Sequence, residues 1–465
     1  MDKRFGRMLP LNIAALLLLA ALFTGCATTQ VSGPAKSGHV STGVFADAAA
    51  LARNDATLTG QAKSDNARQI DRLLAGVDNA ALAREASALP AGDPLYAFVG
   101  RALLNRGLQL PRPFDRGVQW RFDLNNRPAA EHDGYRPPVK LAVLLPLSGQ
   151  LATAAAPVRD GLLAGYYGET RRRPEINFYD TTGTPAGAVA AYATATAAGA
   201  DFVVGPLGRD EVTAVFRDSG LAVPILALNR GASNPPPGNA GFSLAPEDDG
   251  IIAAEYLLGL ERRTALVISG SDDNGRRAAG AFRDRFGERG GTVADTISVA
   301  DAPGDISAKL AAASQRGVDA VFLALKGGTA RAITPQLALA GLGGKIRVGT
   351  SQLVSGTGKA VEDTALDGIV YPTEVWTARG VGGLPAASMT SANLPTARGP
   401  AARLFAFGYD AWLLTAYVEK LATGDNVQLK GATGGLSLDG FGNVMRAPAW
   451  STFNGGQPVP VLSGD

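Results

Sequence analysis

Four carboxylates stand near the ends of apolar, strand-length runs: Asp180, Glu247, Asp272 and Glu374. Two such acids are all that glycoside hydrolysis needs, one to protonate the leaving oxygen and one to attack or to activate water. A second reading competes with it. Glu247, with Asp248 and Asp249, and Asp272, with Asp273, sit where helical patterns begin, and acids placed there accept bonds from free amides and complement the helix dipole. Composition closes most other routes to covalent chemistry. The 465 residues include one cysteine, Cys26, and two histidines, His39 and His132. Beyond residue 132 there is neither type, so no Ser-His-Asp triad, Cys-His pair or His-ligated zinc site can be built there. The nucleophile motifs G-x-S-x-G and S-x-x-K are also missing, as are the phosphate-binding loops G-x-G-x-x-G and G-x-x-x-x-G-K-[ST]. Gly356-Thr357-Gly358-Lys359 imitates the last of these but is followed by Ala360, and reads as a surface turn. Nothing here calls for a cofactor or a metal.

The charge balance points the same way. Net charge is +2, and without residues 1–25 the chain has 41 basic and 41 acidic side chains. Nucleic-acid binding draws its affinity from neutralising phosphates, and such a chain offers no excess of cations for it. With 46% hydrophobic and 18% charged residues, the sequence has the composition of a globular protein.

The amino terminus carries Lys3, Arg4 and Arg7, then an apolar run from Leu11 to Phe23, then Thr24, Gly25 and Cys26. This is the layout of a secretory signal, and the run falls short of the roughly 20 apolar residues that span a bilayer. Phe23-Thr24-Gly25-Cys26 resembles the bacterial lipobox, in which the cysteine is lipidated and becomes the new amino terminus; Phe23 stands where Leu is usual. The competing reading is an ordinary signal peptide whose removal leaves a free thiol, a liability in an oxidising compartment. Each buried methylene contributes about 0.8 kcal/mol, so two or three acyl chains on Cys26 anchor a protein firmly. Ala27, where Asp would retain a lipoprotein at the inner membrane, implies by the same resemblance the periplasmic face of the outer membrane.

Past the cysteine, residues 26–43 read as a flexible tether. Residues 44–109 switch to helical spacing, with Ile70, Leu73, Leu74 and Val77, and later Leu95, Phe98, Val99, Leu103 and Leu104, three and four apart. They predict a small all-helical unit of about four short helices, resembling a degenerate helical-hairpin repeat and divided at Pro90 and Gly92. Residues 110–138, with Pro111, Pro113, Pro128, Pro137 and Pro138, predict an extended linker, in which Phe114 and Trp120 either anchor a partner or pack on a neighbouring domain.

From residue 139 the pattern is α/β. Apolar runs at Val139 to Leu147, Ile176 to Tyr179, Phe202 to Val204 and Ile225 to Leu228 alternate with helical stretches. After a break at Pro246-Glu247-Asp248-Asp249, a second series follows at Ala265 to Ile268, Thr292 to Val299, Ala320 to Leu325 and Ile346 to Gly349. Such alternation implies doubly wound parallel sheets, here in two lobes. Lobe I is expected over about 139–246 and 352–425, with the run Gly368 to Val375 and the helix from Arg403 to Leu421 returning to it. Lobe II is expected over about 247–351 and 430–465, the Gly-rich tail forming antiparallel hairpins. Paired lobes of this kind bind ligands at the carboxyl ends of their strands. Those ends put Ser148, Gly149, Asp180, Gly205, Pro206, Leu207, Asn229, Ser271, Asp272, Ser351 and Gln352 around a candidate inter-lobe cleft.

The strings VKLAVLLPLSGQ, NFYDTTG, GADFVVGPLGRDEV, VPILALNR and FSLAPEDDG, with VDAVFLAL, RLFAFGYDAWLL and GATGGLSLDGFGNVMRAPAW later in the same order, resemble the LpoA family of penicillin-binding-protein activators. The resemblance runs from about Val139 to the end. It implies the type I periplasmic-binding-protein fold, and an outer-membrane lipoprotein that is not an enzyme and stimulates a class A penicillin-binding protein, a peptidoglycan synthase. The best-known members carry a much larger helical-repeat domain where this chain has residues 44–109. The rival reading is a solute-binding lipoprotein of the same fold, for an amino acid or a cell-wall fragment. Amino-acid binders of that fold present Ser and Thr hydroxyls after a strand-end glycine, whereas this chain has Gly205-Pro206-Leu207-Gly208. A zwitterion buried there would lose hydration without replacement bonds, at a cost of several kcal/mol.

Overall fold

The computed structural model describes residues 41–120, 127–217, 220–424 and 427–461, which belong to one compact unit starting at Ser41. Cys26 and most of the expected tether lie outside the described residues. The chain opens with helices α1 (Val44–Asp55), α2 (Gly60–Ala75), α3 (Asn79–Ala88) and α4 (Leu95–Asn105). Asp78 caps α3 by accepting from Ala81 N at 2.8 Å. Ile70 and Leu74 from α2 and Leu95, Phe98, Val99 and Leu103 from α4 meet in one core, while Leu73, Val77 and Leu104 are partly buried at its edge.

In the Pro-rich segment that follows, the described residues 110–120 and 127–138 have little regular structure but are clamped at several points. Phe114 completes the helical core, Trp120 enters the core of the first lobe, and both are buried. Arg127 pairs with Asp201 at 2.8 Å, and Arg136 grips Glu419 with bonds of 2.9 and 2.8 Å. The segment is thus a strap, and Phe114 and Trp120 pack within the protein.

Next come β1 (Lys140–Leu145), α5 (Ala152–Gly168), β2 (Glu175–Asp180), α6 (Pro185–Ala197), β3 (Phe202–Val204), α7 (Arg209–Val215), β4 (Ile225–Ala227) and β5 (Ala240–Gly241). The strands form a parallel sheet in the order β2-β1-β3-β4-β5. Side chains alternate across a strand, and β1 is apolar on both faces, so it feeds two cores. Leu141, Val143 and Leu145 face one, Ala142 and Leu144 the other.

The second lobe contains α8 (Pro246–Gly259), β6 (Thr264–Gly270), α9 (Asp273–Glu288), β7 (Thr292–Val299), α10 (Ser307–Ser314), β8 (Ala320–Ala324), α11 (Gly327–Leu339), β9 (Ile346–Gly349), the short α12 (Ala360–Asp363) and β10 (Ile369–Thr373). Then follow α13 (Val375–Arg379), α14 (Ala387–Asn393), the long α15 (Ala401–Thr423), β11 (Leu429–Lys430), β12 (Gly435–Leu438), β13 (Val444–Ala447), β14 (Ala449–Asn454) and β15 (Gln457–Pro460). The second sheet has the order β15-β14-β10-β9-β8-β6-β7, parallel from β7 to β10 and antiparallel at β14 and β15. Ala265 and Val267 face α8 and α9, while Leu266 and Ile268 face α10 and α11.

Two lobe assignments differ from the sequence reading. The run Gly368 to Val375 does not return to lobe I: β10 pairs with β9 and β14, and buries Ile369 and Tyr371 in the core of lobe II. An apolar strand does not itself encode which sheet edge it joins. The tail, expected wholly in lobe II, divides. The antiparallel sheet β11-β12-β13 packs Leu429, Leu436, Leu438 and Val444 into the lobe I core, and only β14 and β15 join lobe II. The helix from Arg403 does cover lobe I. There α15 lies so close to α5 that a Cβ on Gly161 would strike Phe405 O and one on Gly408 would strike Val158 O. The chain passes between lobes near Leu244 to Pro246, at Thr373 to Val375 and at Ala447 to Ala449.

Candidate functional site

The strand ends of lobe I are built from loops that bond to themselves. Asp180, last in β2, accepts from Leu147 N at 2.9 Å, Thr182 N at 2.7 Å and Ser148 Oγ at 2.6 Å. The Ser148 hydroxyl and these amides hold its carboxyl below the usual carboxylate range. Gly149 takes φ +78°, open to glycine and costly for other residues. After β3, Gly205, Pro206 and Leu207 form a turn in which Asn229 Nδ2 donates to Leu207 O at 2.8 Å. The polar groups expected to meet a ligand are thus turned toward one another.

In lobe II, Ser271 N donates to Val299 O, and Asp272 caps α9 by accepting from Gly275 N at 3.0 Å, with Lys326 Nζ 3.5 Å away. Ser351 donates through N (3.0 Å) and Oγ (2.5 Å) to Asp249 Oδ2, 102 positions earlier in the chain. Arg403, in the first turn of α15, lies 3.8 Å from Asp249 and 3.3 Å from Glu374 Oε1. Asp249 and Glu374 are 2% and 6% exposed, so this group is a buried ionic knot where the chain passes between lobes. Neither Arg403 nor its partnership with Asp249 is signalled by the sequence, because the three charges come from segments far apart.

Gln352, Asp272, Asp249 and Arg403 line a cavity of about 20 Å³ at the ends of β6, β8 and β9. That is room for about one water molecule. Of the eleven cleft candidates only Asp272 and Gln352 line it; Ser148, Gly149, Asp180, Gly205, Pro206, Leu207 and Asn229 do not. The acids weighed for hydrolysis are also engaged separately: Glu247 is held by Arg277 through two bonds of 2.8 Å, Glu374 by Arg403, Asp180 and Asp272 as capping groups. Gly356 to Lys359 is a turn whose last two amides donate to Asp363 Oδ2.

With this geometry in view, three comparisons bear on the chain. A family model described as "LppC putative lipoprotein" matches residues 135–456. Penicillin-binding protein activator LpoA of Photobacterium profundum is 26% identical over 360 residues, covering 69% of this chain and 57% of that protein. The chain therefore spans a little over half the length of such curated relatives. Among solved structures, the LpoA (YraM) C-domain from Haemophilus influenzae, described as a regulator of PBP1A, superposes with a TM-score of 0.59 at 22% identity, covering 70% of this chain and all of that one. An ABC transporter substrate-binding protein from Sphaerobacter thermophilus superposes at 0.53 and 17% identity, covering 70% and 97%. The fold is the two-lobed, type I periplasmic-binding-protein-like one, with a helical region before it.

Proposed function

The chain belongs to the LppC family, and on that premise we propose that it is a non-enzymatic lipoprotein that binds and activates a class A penicillin-binding protein. One observation carries this reading: the family match, residues 135–456, takes in nearly all of the two-lobed body, and relatives that match 69% of the chain are named as activators. A body that keeps the solute-binder fold while its strand-end polar groups bond to each other is suited to work through its outer surface. An activator must bind the active state of the synthase more tightly than the inactive one, and a coupling of about 1–3 kcal/mol corresponds to roughly 5- to 150-fold. In this reading Cys26 bears the acyl anchor at the periplasmic face of the outer membrane, and residues 27–43 let the folded body stand off from it.

The decisive measurement adds residues 41–465 to the cognate synthase and follows glycan polymerisation and crosslinking. Stimulation is expected, and unchanged rates refute the activator reading. Saturable binding of an amino acid or a muropeptide in calorimetry would instead favour the solute-binder alternative. Replacing Cys26 by Ala is expected to move the protein to the soluble periplasmic fraction, and continued membrane retention refutes the anchor.

A further inference from the structure

A second cavity, of about 630 Å³, opens away from the strand ends, where the helical unit, the strap, the tail sheet and α8 meet. Its volume lies within the range of small-molecule sites, roughly 300–1,000 Å³. The walls are largely apolar. Leu104 and Leu108 line one side, Ile251, Ile252 and Tyr256 of α8 another, and Trp450, whose ring lies 4.4 Å from that of Tyr256, a third.

The charges on the wall are unbalanced. Three arginines and two acids line it, and both acids are already matched: Asp248 with Arg230, and Glu255 with Arg285 and Arg289. Arg116 and Arg446 have no carboxylate within ion-pair distance among the described residues. Arg116 makes one bond, Nη2 to Leu438 O at 2.9 Å. Arg446 reaches Thr433 O at 3.5 Å, and its buried Nε and Nη2 have no hydrogen-bond partner. Burial pushes the Arg116 guanidinium down to about 10 against the pull of Asp439, and burial together with Arg403 pushes that of Arg446 below its usual range against Asp249, Glu374 and Asp248, none of them close enough to pair. Both adjoin one strand: Arg446 of β13 sits opposite Leu436 on β12, and Arg116 of the strap bonds to Leu438 O, about 7 Å further along β12. A buried cation without a partner is costly, and an entering anion would relieve that cost.

We propose that this cavity binds a single-chain amphipathic anion, its carboxylate or phosphate head held by Arg116 and Arg446 and its apolar body lying against α4, α8 and Trp450. The site stands whether or not the chain activates a synthase.

Titrating residues 41–465 with dodecanoate and with dodecyl phosphate, below their micellar concentrations, tests it by calorimetry and by Trp fluorescence. Saturable binding of one or both is expected, at least tenfold tighter than of neutral dodecyl maltoside or of inorganic phosphate; which head binds better tells a fatty acid from a phosphate ester. Arg116→Gln and Arg446→Gln should each weaken binding about tenfold or more. Ile251→Trp should weaken it about tenfold or more by intruding on the apolar wall, with the thermal midpoint of the unliganded protein nearly unchanged. If Arg446→Gln unfolds the chain, Arg116→Gln and Ile251→Trp still decide. No binding of either anion, equal binding of the neutral chain, or full binding by Arg116→Gln and Ile251→Trp overturns the proposal.

Discussion

Two cavities among the described residues differ in what lines them. At the strand ends, where the fold places ligands in solute binders, Asp180 accepts from its own loop, Asn229 donates to Leu207 O, and Asp249 accepts from Ser351 beside Arg403, with Asp249 Oδ1 and Arg403 Nε and Nη2 left without a hydrogen-bond partner. At the junction of the helical unit with the tail sheet, apolar walls stay open and, among the described residues, two guanidiniums have no carboxylate at ion-pair distance. The difference teaches that this frame spends many of its strand-end polar groups on internal bonds, while its roomier hollow forms where separate segments of the chain meet.

The sharpest way to break this contrast is at the ionic knot. Arg403→Met removes the cation that Asp249 and Glu374 share, and breaking a buried pair costs about 3–5 kcal/mol. Chemical denaturation of residues 41–465 is expected to show a loss of that size. A loss under about 1 kcal/mol would mean that the knot does not hold the strand ends shut.

A smaller effect is expected at Asp410, which fixes the tail sheet by accepting from Ala432 N at 2.6 Å, Thr433 N at 2.7 Å and Thr433 Oγ1 at 2.6 Å. Asp410→Ala leaves these buried donors unpaired, at about 1–3 kcal/mol. Burial raises this carboxyl to about 6, against bonds from Thr433 and Ala432 that lower it. The folded state therefore holds the proton more tightly than the unfolded one. This group's contribution to stability falls as pH rises from about 4 to about 6 and is level above that. Stability measured across that window should lose this component in Asp410→Ala, and an unaltered profile would assign the slope elsewhere.

The smallest effect is expected at Ser148. Ser148→Ala removes one hydroxyl from Asp180 while the Leu147 and Thr182 amides remain, so unfolding should shift by about 1 kcal/mol or less. No amino-acid affinity should appear. If calorimetry then detects such binding, the strand ends of lobe I are a masked site, and the contrast between the cavities narrows.

Much of the frame is legible in the sequence. The runs Phe202 to Val204, Thr292 to Val299 and Ile346 to Gly349 coincide with β3, β7 and β9, because apolar strands between helices leave a clear mark. The placement of β10 is not legible, since Ile369 and Tyr371 suit the core of either lobe. Of the site, Ser351 and Glu374 stand out as polar groups at strand ends, but the partner of Ser351 lies 102 positions upstream and Arg403 reads as an ordinary helix start. The larger cavity has no local signature at all, because Leu104, Arg116, Ile251 and Arg446 become neighbours only once four parts of the chain have packed.

The contact of α5 with α15 has a consequence for motion. With carbonyl oxygens directly against Gly161 and Gly408, there is no clearance for even a methyl group, and the two helices must travel as a single block. Any breathing between the halves of the body is then concentrated in the few peptide units at Leu244 to Pro246, Thr373 to Val375 and Ala447 to Ala449. A stiff crosslink set there would freeze the molecule without touching either of its hollows.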